Sequence, residues 1–167
     1  VIREAKPADL DALIELENRS FAGDRLSRRS LRHLLGTGTA TMLVDEENDR
    51  IRGYALVLYN KDTSLARLYS LVVDAASRGQ GLGLRILEAA EKDALDNECV
   101  IMRLEVRKDN EAAIGLYRRN GYRLFDIVQD YYEDHTEALR FEKSLVPHLK
   151  PKKVPNGCAD CDCRTEE

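Results

Sequence analysis

Val72-Val73-Asp74-Ala75-Ala76-Ser77-Arg78-Gly79-Gln80-Gly81-Leu82-Gly83 is the segment that sets the fold. An apolar strand runs into glycines, and the glycines open a segment with Ile86, Ala89, Ala90 and Ala94 on one face. That pattern predicts strand, turn and a long helix over roughly 81–97. Glycines without Cβ let an anion approach the backbone, and the free N–H groups of a helix's first turn face it. The helix dipole adds to the attraction, and Arg78 supplies a formal charge alongside. In physical terms this is a pyrophosphate cradle. A Walker loop needs Gly-Lys-Ser/Thr, which is missing here, and the dinucleotide pattern G-x-G-x-x-G needs glycine at position 84, which is Leu84. A glycine-rich β–α turn without a ligand is the remaining alternative.

Upstream lie three strand-like segments, 39–45, 52–59 and 64–73, joined by Glu46-Glu47-Asn48-Asp49 and Asn60-Lys61-Asp62. Turns that short predict antiparallel neighbours. Before them, residues 2–5 suit a short strand. Pro7 suits a helix start, with Leu10, Leu13, Ile14 and Phe21 at helical spacing. Ser27 suits the cap of a second helix that carries Leu31, Leu34 and Leu35 and ends at Gly36 and Gly38. Downstream, a strand at 100–106 precedes a helix near 111–120 with Ala113, Leu116 and Tyr117 on one face, and strands follow at about 122–131 and 137–144. The order β-α-α-β-β-β-α-β-α-β-β predicts a mixed α/β fold, a central sheet with helices packed on its faces. One domain is expected over 1–145. Pro147, Pro151 and Pro155 punctuate a Lys-rich stretch, so 146–167 is expected to be a tail or linker ending in a cysteine cluster.

A chain of 167 residues buries enough surface to hold a core without disulfides or metal. Its formal net charge of −4 argues against non-specific binding to nucleic acid or to an anionic membrane. No apolar run approaches the ~20 residues a membrane span needs, and Val-Ile-Arg-Glu-Ala-Lys-Pro lacks a signal peptide's apolar core, so a cytoplasmic protein is expected. Cys99 alone, with Cys158, Cys161 and Cys163 crowded at the end, is not the framework of a secreted domain. His33, His135 and His148 show no ligand spacing, and three tail cysteines lack a fourth ligand, so no metal site is expected.

Arg78-Gly79-Gln80-Gly81-Leu82-Gly83 resembles the acetyl-CoA signature [Q/R]-x-x-G-x-[G/A] of the GNAT family of N-acetyltransferases. Asn110-Glu111-Ala112-Ala113-Ile114-Gly115-Leu116-Tyr117-Arg118-Arg119-Asn120-Gly121-Tyr122 resembles that family's second signature, N-x-x-A-x-x-L-Y-x-x-x-G-[F/Y]. Leu104-Glu105-Val106-Arg107 and Tyr131-Tyr132 are similar to the ribosomal-protein-alanine (RimI-like) branch. The likeness covers about residues 1–145 and implies a mostly antiparallel central sheet, with helices on both faces. It also implies two strands, one ending at Val73 and the other at 100–106, that splay apart so that the amides of acetyl-CoA pair with backbone around Leu71, Val72 and Val73. The phosphates would lie on Arg78, Gly79, Gln80, Gly81, Leu82 and Gly83, with Asn110 and Tyr117 also beside the cofactor.

Two side chains are singled out for chemistry. The resemblance sets Tyr117 near the CoA sulfur as the general acid, and a phenol with a pKa near ~10 keeps its proton at neutral pH. Glu105 is the general base. Strand alternation sets it opposite Met102, Leu104 and Val106, and the α-amine it would serve has a pKa of only ~8. The bland alternatives are a packed helix tyrosine and a solvated carboxylate paired with Arg103 or Arg107. Asn110 also reads as a helix N-cap and Gly121 as the glycine after a helix end. Phe21, Tyr131 and Tyr132, with Glu105, are expected to wall the acceptor site; ordinary strand aromatics are the alternative for the two tyrosines. The RimI-like branch carries Pro and Trp after its first helix, whereas Phe21-Ala22-Gly23-Asp24-Arg25-Leu26 has neither. The acceptor is then the α-amine of a peptide or protein N-terminus, or a small-molecule amine; a non-catalytic acetyl-CoA sensor is the alternative of another class.

Overall fold

The structure, a computed structural model, describes residues 1–146. The expected tail from 147 onward lies outside the described residues, with His148 and the cysteines at 158, 161 and 163. The elements follow the expected order: β1 Ile2–Glu4, α1 Leu10–Ser20, α2 Arg28–Gly36, β2 Ala40–Glu47, β3 Arg50–Tyr59, β4 Leu65–Val73, α3 Leu82–Asp96, β5 Ile101–Arg107, α4 Glu111–Arg119, β6 Arg123–Val128 and β7 Ala138–Ser144. Pro7–Asp9 forms a single 3-10 turn ahead of α1. Ser27 caps α2 by accepting the Ser30 amide at 3.1 Å. No described helix is long and apolar enough to cross a membrane.

The seven strands form one sheet in the order β1-β2-β3-β4-β5-β7-β6. Every pair is antiparallel except β4 and β5, which run parallel. Alternation along each strand feeds two cores. Leu43, Ala55, Val57, Ala66, Leu68, Met102 and Leu104 meet α3 and α4 on one face. Met42, Val44, Tyr54, Leu56 and Val72 meet α1 and α2 on the other. Each fully buried Leu or Val contributes about 1.5–3 kcal/mol over an exposed one, which is why a strict period of two is worth keeping.

The break in that period that shapes the site is in β4. Leu56 pairs with Ser70 and Val57 with Leu68, leaving Tyr69 as an extra residue in a β-bulge. A one-residue slip sends every later side chain to the opposite face. Ala66 and Leu68 therefore point to the α3 side, but after the bulge it is Leu71 and Val73 that pack there while Val72 turns to α1 and α2. β4 also parts from β5 at this point. Their pairing runs only from Leu65–Ile101 to Leu68–Leu104, although β4 continues to Val73 and β5 to Arg107. The flank of β4 from Tyr69 to Val73 is left without a strand to bond on that side.

Candidate active site

The parting of β4 and β5 opens a cleft of about 830 Å³. Seven of the sequence-predicted residues meet in its wall: Phe21, Leu71, Glu105, Asn110, Tyr117, Tyr131 and Tyr132. Val72 does not reach it with its side chain, which is 4% exposed and belongs to the α1/α2 core. Leu82 is 1% exposed and likewise a core side chain, so only its backbone faces the turn.

The glycine turn stands at the head of α3. Gly79 and Gly81 have φ of +80° and +73°, the left-handed region that costs a residue with Cβ, and a Cβ added at either meets nothing within 4 Å. Gly81 is the N-cap of α3. Among the described residues no acceptor takes the amides from Gly79 to Leu84, and the first bond into the helix is Arg85 N–H to the Gly81 carbonyl at 3.2 Å. Unpaired amides over open space, at a helix's positive end, are what a phosphate binds. Arg78 is exposed and has no ion-pair partner among the described residues. Gln80 turns away from the cleft, into a separate depression beside Arg52 and Arg85. A Cβ on Gly83 would lie 3.5 Å from Leu116 and 3.8 Å from Val73, so the turn abuts both α4 and the end of β4.

Tyr117 is 6% exposed. Its ring packs edge-on against Tyr122 at 5.5 Å and tilted against Phe141 at 6.5 Å. Burial pushes its phenol well above the ordinary tyrosine value, with the neighbouring Tyr132 adding to the rise, so it is a proton donor and not an anion. Its hydroxyl has no hydrogen-bond partner among the described residues, and Tyr117 is one of the residues that line the cleft. Asn110 caps α4 through its side-chain oxygen, which accepts the Ala113 amide at 3.2 Å, and Gly121 follows α4 with φ of +89°.

Glu105 projects from β5 with its side chain 11% exposed, opposite in sense to the buried Met102, Leu104 and Val106. Its partners are neither Arg103 nor Arg107, as one sequence alternative had it. Arg67 on β4 bonds it at 3.1 Å and Arg140 on β7 at 3.4 Å. Arg103 pairs with Glu142 instead, and Arg107 with Asp109 and Asp134. The reason is register: Arg140 lies directly across from Glu105 on β7, and on β4 Arg67 is paired with Arg103, two residues before Glu105 and on the same face of β5.

Tyr131 and Tyr132 are not strand residues. β6 stops at Val128, Asp130 takes φ of +54°, and the amides of Tyr131 and Tyr132 both bond the Thr136 carbonyl at 3.3 Å, so a turn replaces the last part of the strand expected over 122–131. The two rings meet edge to face at 4.9 Å. The Tyr131 hydroxyl accepts from Arg67 at 3.0 Å, and the Arg107 guanidinium sits 4.9 Å over the Tyr132 ring. Burial pushes the Tyr132 phenol up to about 12. Across the mouth, the Asp24 carboxylate accepts the Glu133 amide at 3.4 Å, which ties loop 21–26 to loop 131–134.

Residues 10–122 match the acetyltransferase (GNAT) family. The chain is a member of that family. GNAT enzymes are acetyl-CoA-dependent N-acetyltransferases. A Methanocaldococcus jannaschii protein known only as an uncharacterized N-acetyltransferase is 32% identical over 161 residues, covering 94% of each chain. The N-terminal acetyltransferase A catalytic subunit NAA10 of Arabidopsis thaliana is 28% identical over 149 residues, 86% of this chain and 77% of its own. A Bacillus subtilis protein provisionally named ribosomal protein bS18-alanine N-acetyltransferase is 28% identical over 136 residues, 81% of this chain and 89% of its own. Among solved structures, the ribosomal-protein-S18-alanine N-acetyltransferase of Escherichia coli shares the GNAT fold with a TM-score of 0.78 at 24% identity, over 87% of this chain and 93% of that one.

Sequence reasoning missed three cleft residues, Glu17, Arg67 and Ser70, and also Arg140, which reaches the site only through its ion pair with Glu105. Glu17 did leave a signal. It falls seven residues after Leu10 and four after Leu13, on the apolar face of α1, where a carboxylate is out of place.

Proposed function

We propose that this GNAT enzyme moves acetyl from acetyl-CoA to the α-amine of a protein or peptide N-terminus. The observation that carries the reading is the acceptor end of the cleft of about 830 Å³, which is lined by two surface loops, 21–26 and 131–134. An extended chain end enters such a groove. The names of the Arabidopsis and Bacillus relatives point the same way.

Acetyl-CoA, as cosubstrate, supplies the activated acetyl group. The residues present fit it: the unladdered flank of β4 at Leu71, Val72 and Val73 offers backbone partners to its amide-rich arm. The unpaired amides of Gly79, Gln80, Gly81, Leu82 and Gly83 face its pyrophosphate, with Arg78 adding charge. Asn110 holds the start of α4 so that Tyr117 faces the cleft. Tyr117 keeps its proton and donates it to the leaving sulfur. Glu105, oriented by Arg67 and Arg140, accepts a hydrogen bond from the incoming amine and receives its proton directly or through water. Phe21, Tyr131 and Tyr132 flank the acceptor's first residues. On this reading the enzyme works in the cytoplasm, on chain ends exposed there.

The test is acetyl-CoA-dependent thiol release with peptides of varied N-terminus, each also supplied with its α-amine blocked and a lysine left free. Turnover that blocking abolishes supports the reading. Turnover that survives blocking, or that occurs only with small amines, overturns it.

A further inference from the structure

Glu105 is the acidic residue that the family pattern points to, yet its charge is already answered by two guanidinium groups. A second, more deeply buried carboxylate in the same cleft has no cationic partner among the described residues. Glu17 on α1 is 2% exposed and lines the cleft wall. One of its oxygens, Oε1, accepts the Leu26 amide at 3.0 Å, and the other, Oε2, accepts the Tyr54 hydroxyl. Both donors are neutral, and no Lys, Arg or His among the described residues pairs with Glu17. The Tyr54 oxygen also lies 3.2 Å from Ser70 Oγ, and Ser70 follows the bulge in the wall of the cleft. Burial, and after it the charge of Glu17, push the Tyr54 phenol above its ordinary range, so Tyr54 remains a donor to the carboxylate.

A buried carboxylate without a counter-ion is costly to fold, and an apolar residue would suit the α1 face better. The cation that belongs beside it comes from outside. An α-amine in water is mostly ammonium at neutral pH, and it must enter this cleft before it loses its proton. We propose that Glu17 is the charge that draws and holds the acceptor in its ammonium form, while Glu105, already paired, orients the amine for attack. The proposal rests on the preceding assignment of the cleft to an amine acceptor, and adds that the acceptor binds as a cation. The bond to Leu26 also explains why the charge sits at the root of the acceptor loop.

Glu17→Gln tests this in the intact protein, because the amide keeps the size and the Leu26 bond and can donate to Tyr54, whose own hydrogen then turns to Ser70. The acceptor's KM should rise at least about tenfold, with acetyl-CoA affinity unchanged. Inhibition by the Nα-acetylated product peptide, which is neutral at that end, should not change. Tyr54→Phe leaves the charge in place and should leave the acceptor's KM where it was. An unchanged KM in Glu17→Gln overturns the proposal. So does a parallel loss of acceptor and acetylated product, or a raised KM in Tyr54→Phe, since both would make Glu17 only a brace for the loop. A wild type that acetylates small amines alone would fail the peptide reading; the same variants, measured on that amine and its N-acetyl product, still decide the role of Glu17.

Discussion

Replacing Tyr117 with phenylalanine separates chemistry from packing more cleanly than any other substitution in the cleft. The ring is 6% exposed and held against Tyr122 and Phe141, and phenylalanine fills the same space. The lost hydroxyl has no partner among the described residues, so no protein hydrogen bond is broken. Stability should then change by no more than about 0.5 kcal/mol, a Tm shift of about 1–2 °C for a domain of this size. Removing a general acid costs far more. A loss of about 100- to 10,000-fold is expected, equivalent to about 3–5 kcal/mol of barrier. The assay is the single-turnover rate of thiol release at saturating peptide, with acetyl-CoA affinity measured by calorimetry on the same samples. A rate within about threefold of wild type would remove Tyr117 from the chemistry, because a general acid contributes at least about 100-fold. A Tm lower by about 5 °C or more would show instead that the hydroxyl was bonded and that the packing argument is wrong.

Gly81→Val forces a β-branched residue to φ near +73° and should cost about 1–3 kcal/mol in the free protein. It should weaken acetyl-CoA at least about tenfold beyond that, and unchanged affinity in calorimetry would displace the cradle from this turn. Glu105→Gln releases Arg67 and Arg140, which are 39% and 31% exposed and can rehydrate. Stability should fall by only about 1–2 kcal/mol, between exposed and buried pairs. Its kcat/KM should fall about 100-fold, and near-normal kinetics would leave the carboxylate a purely structural ion-pair partner. Burial raises the phenols of Tyr54, Tyr59, Tyr117, Tyr122 and Tyr132, the last to about 12. The unfolded chain loses these protons first, near pH ~10, so stability is full below that pH and falls as pH climbs toward the folded values. Urea midpoints at pH ~8 and ~11 should differ accordingly, and equal midpoints would contradict the burial of these side chains.

The element order was legible because helices and strands announce themselves by period, and the caps at Ser27 and Asn110 by residue type. The glycine turn was legible for a similar reason, since only glycine is at ease at φ near +80° and +73°. What the sequence hid depends on pairing across distance. Leu65–Val73 reads as one strand, and nothing in it marks Tyr69 as the residue that reverses the two faces. The partners of Glu105 come from β4 and β7, 38 and 35 positions away in the chain, while its neighbours in sequence pair elsewhere. Tyr131 and Tyr132 have strand-forming side chains, but the turn that closes on Thr136 takes them out of the ladder and into the cleft wall. Glu17 was visible as a charge on an apolar helix face, although the sequence did not tell what it served.

Hydrogen exchange on the protein with and without acetyl-CoA tests the placement of the site most directly. Backbone groups that the fold leaves unpaired are the ones the cosubstrate should cover. Slower exchange confined to the end of β4, from 69 to 73, and to the turn from Gly79 to Leu84, with β6 unchanged, is the predicted result. Binding that protects other segments, or that leaves both of these exchanging as before, would contradict the assignment of the cleft and the glycine turn to acetyl-CoA.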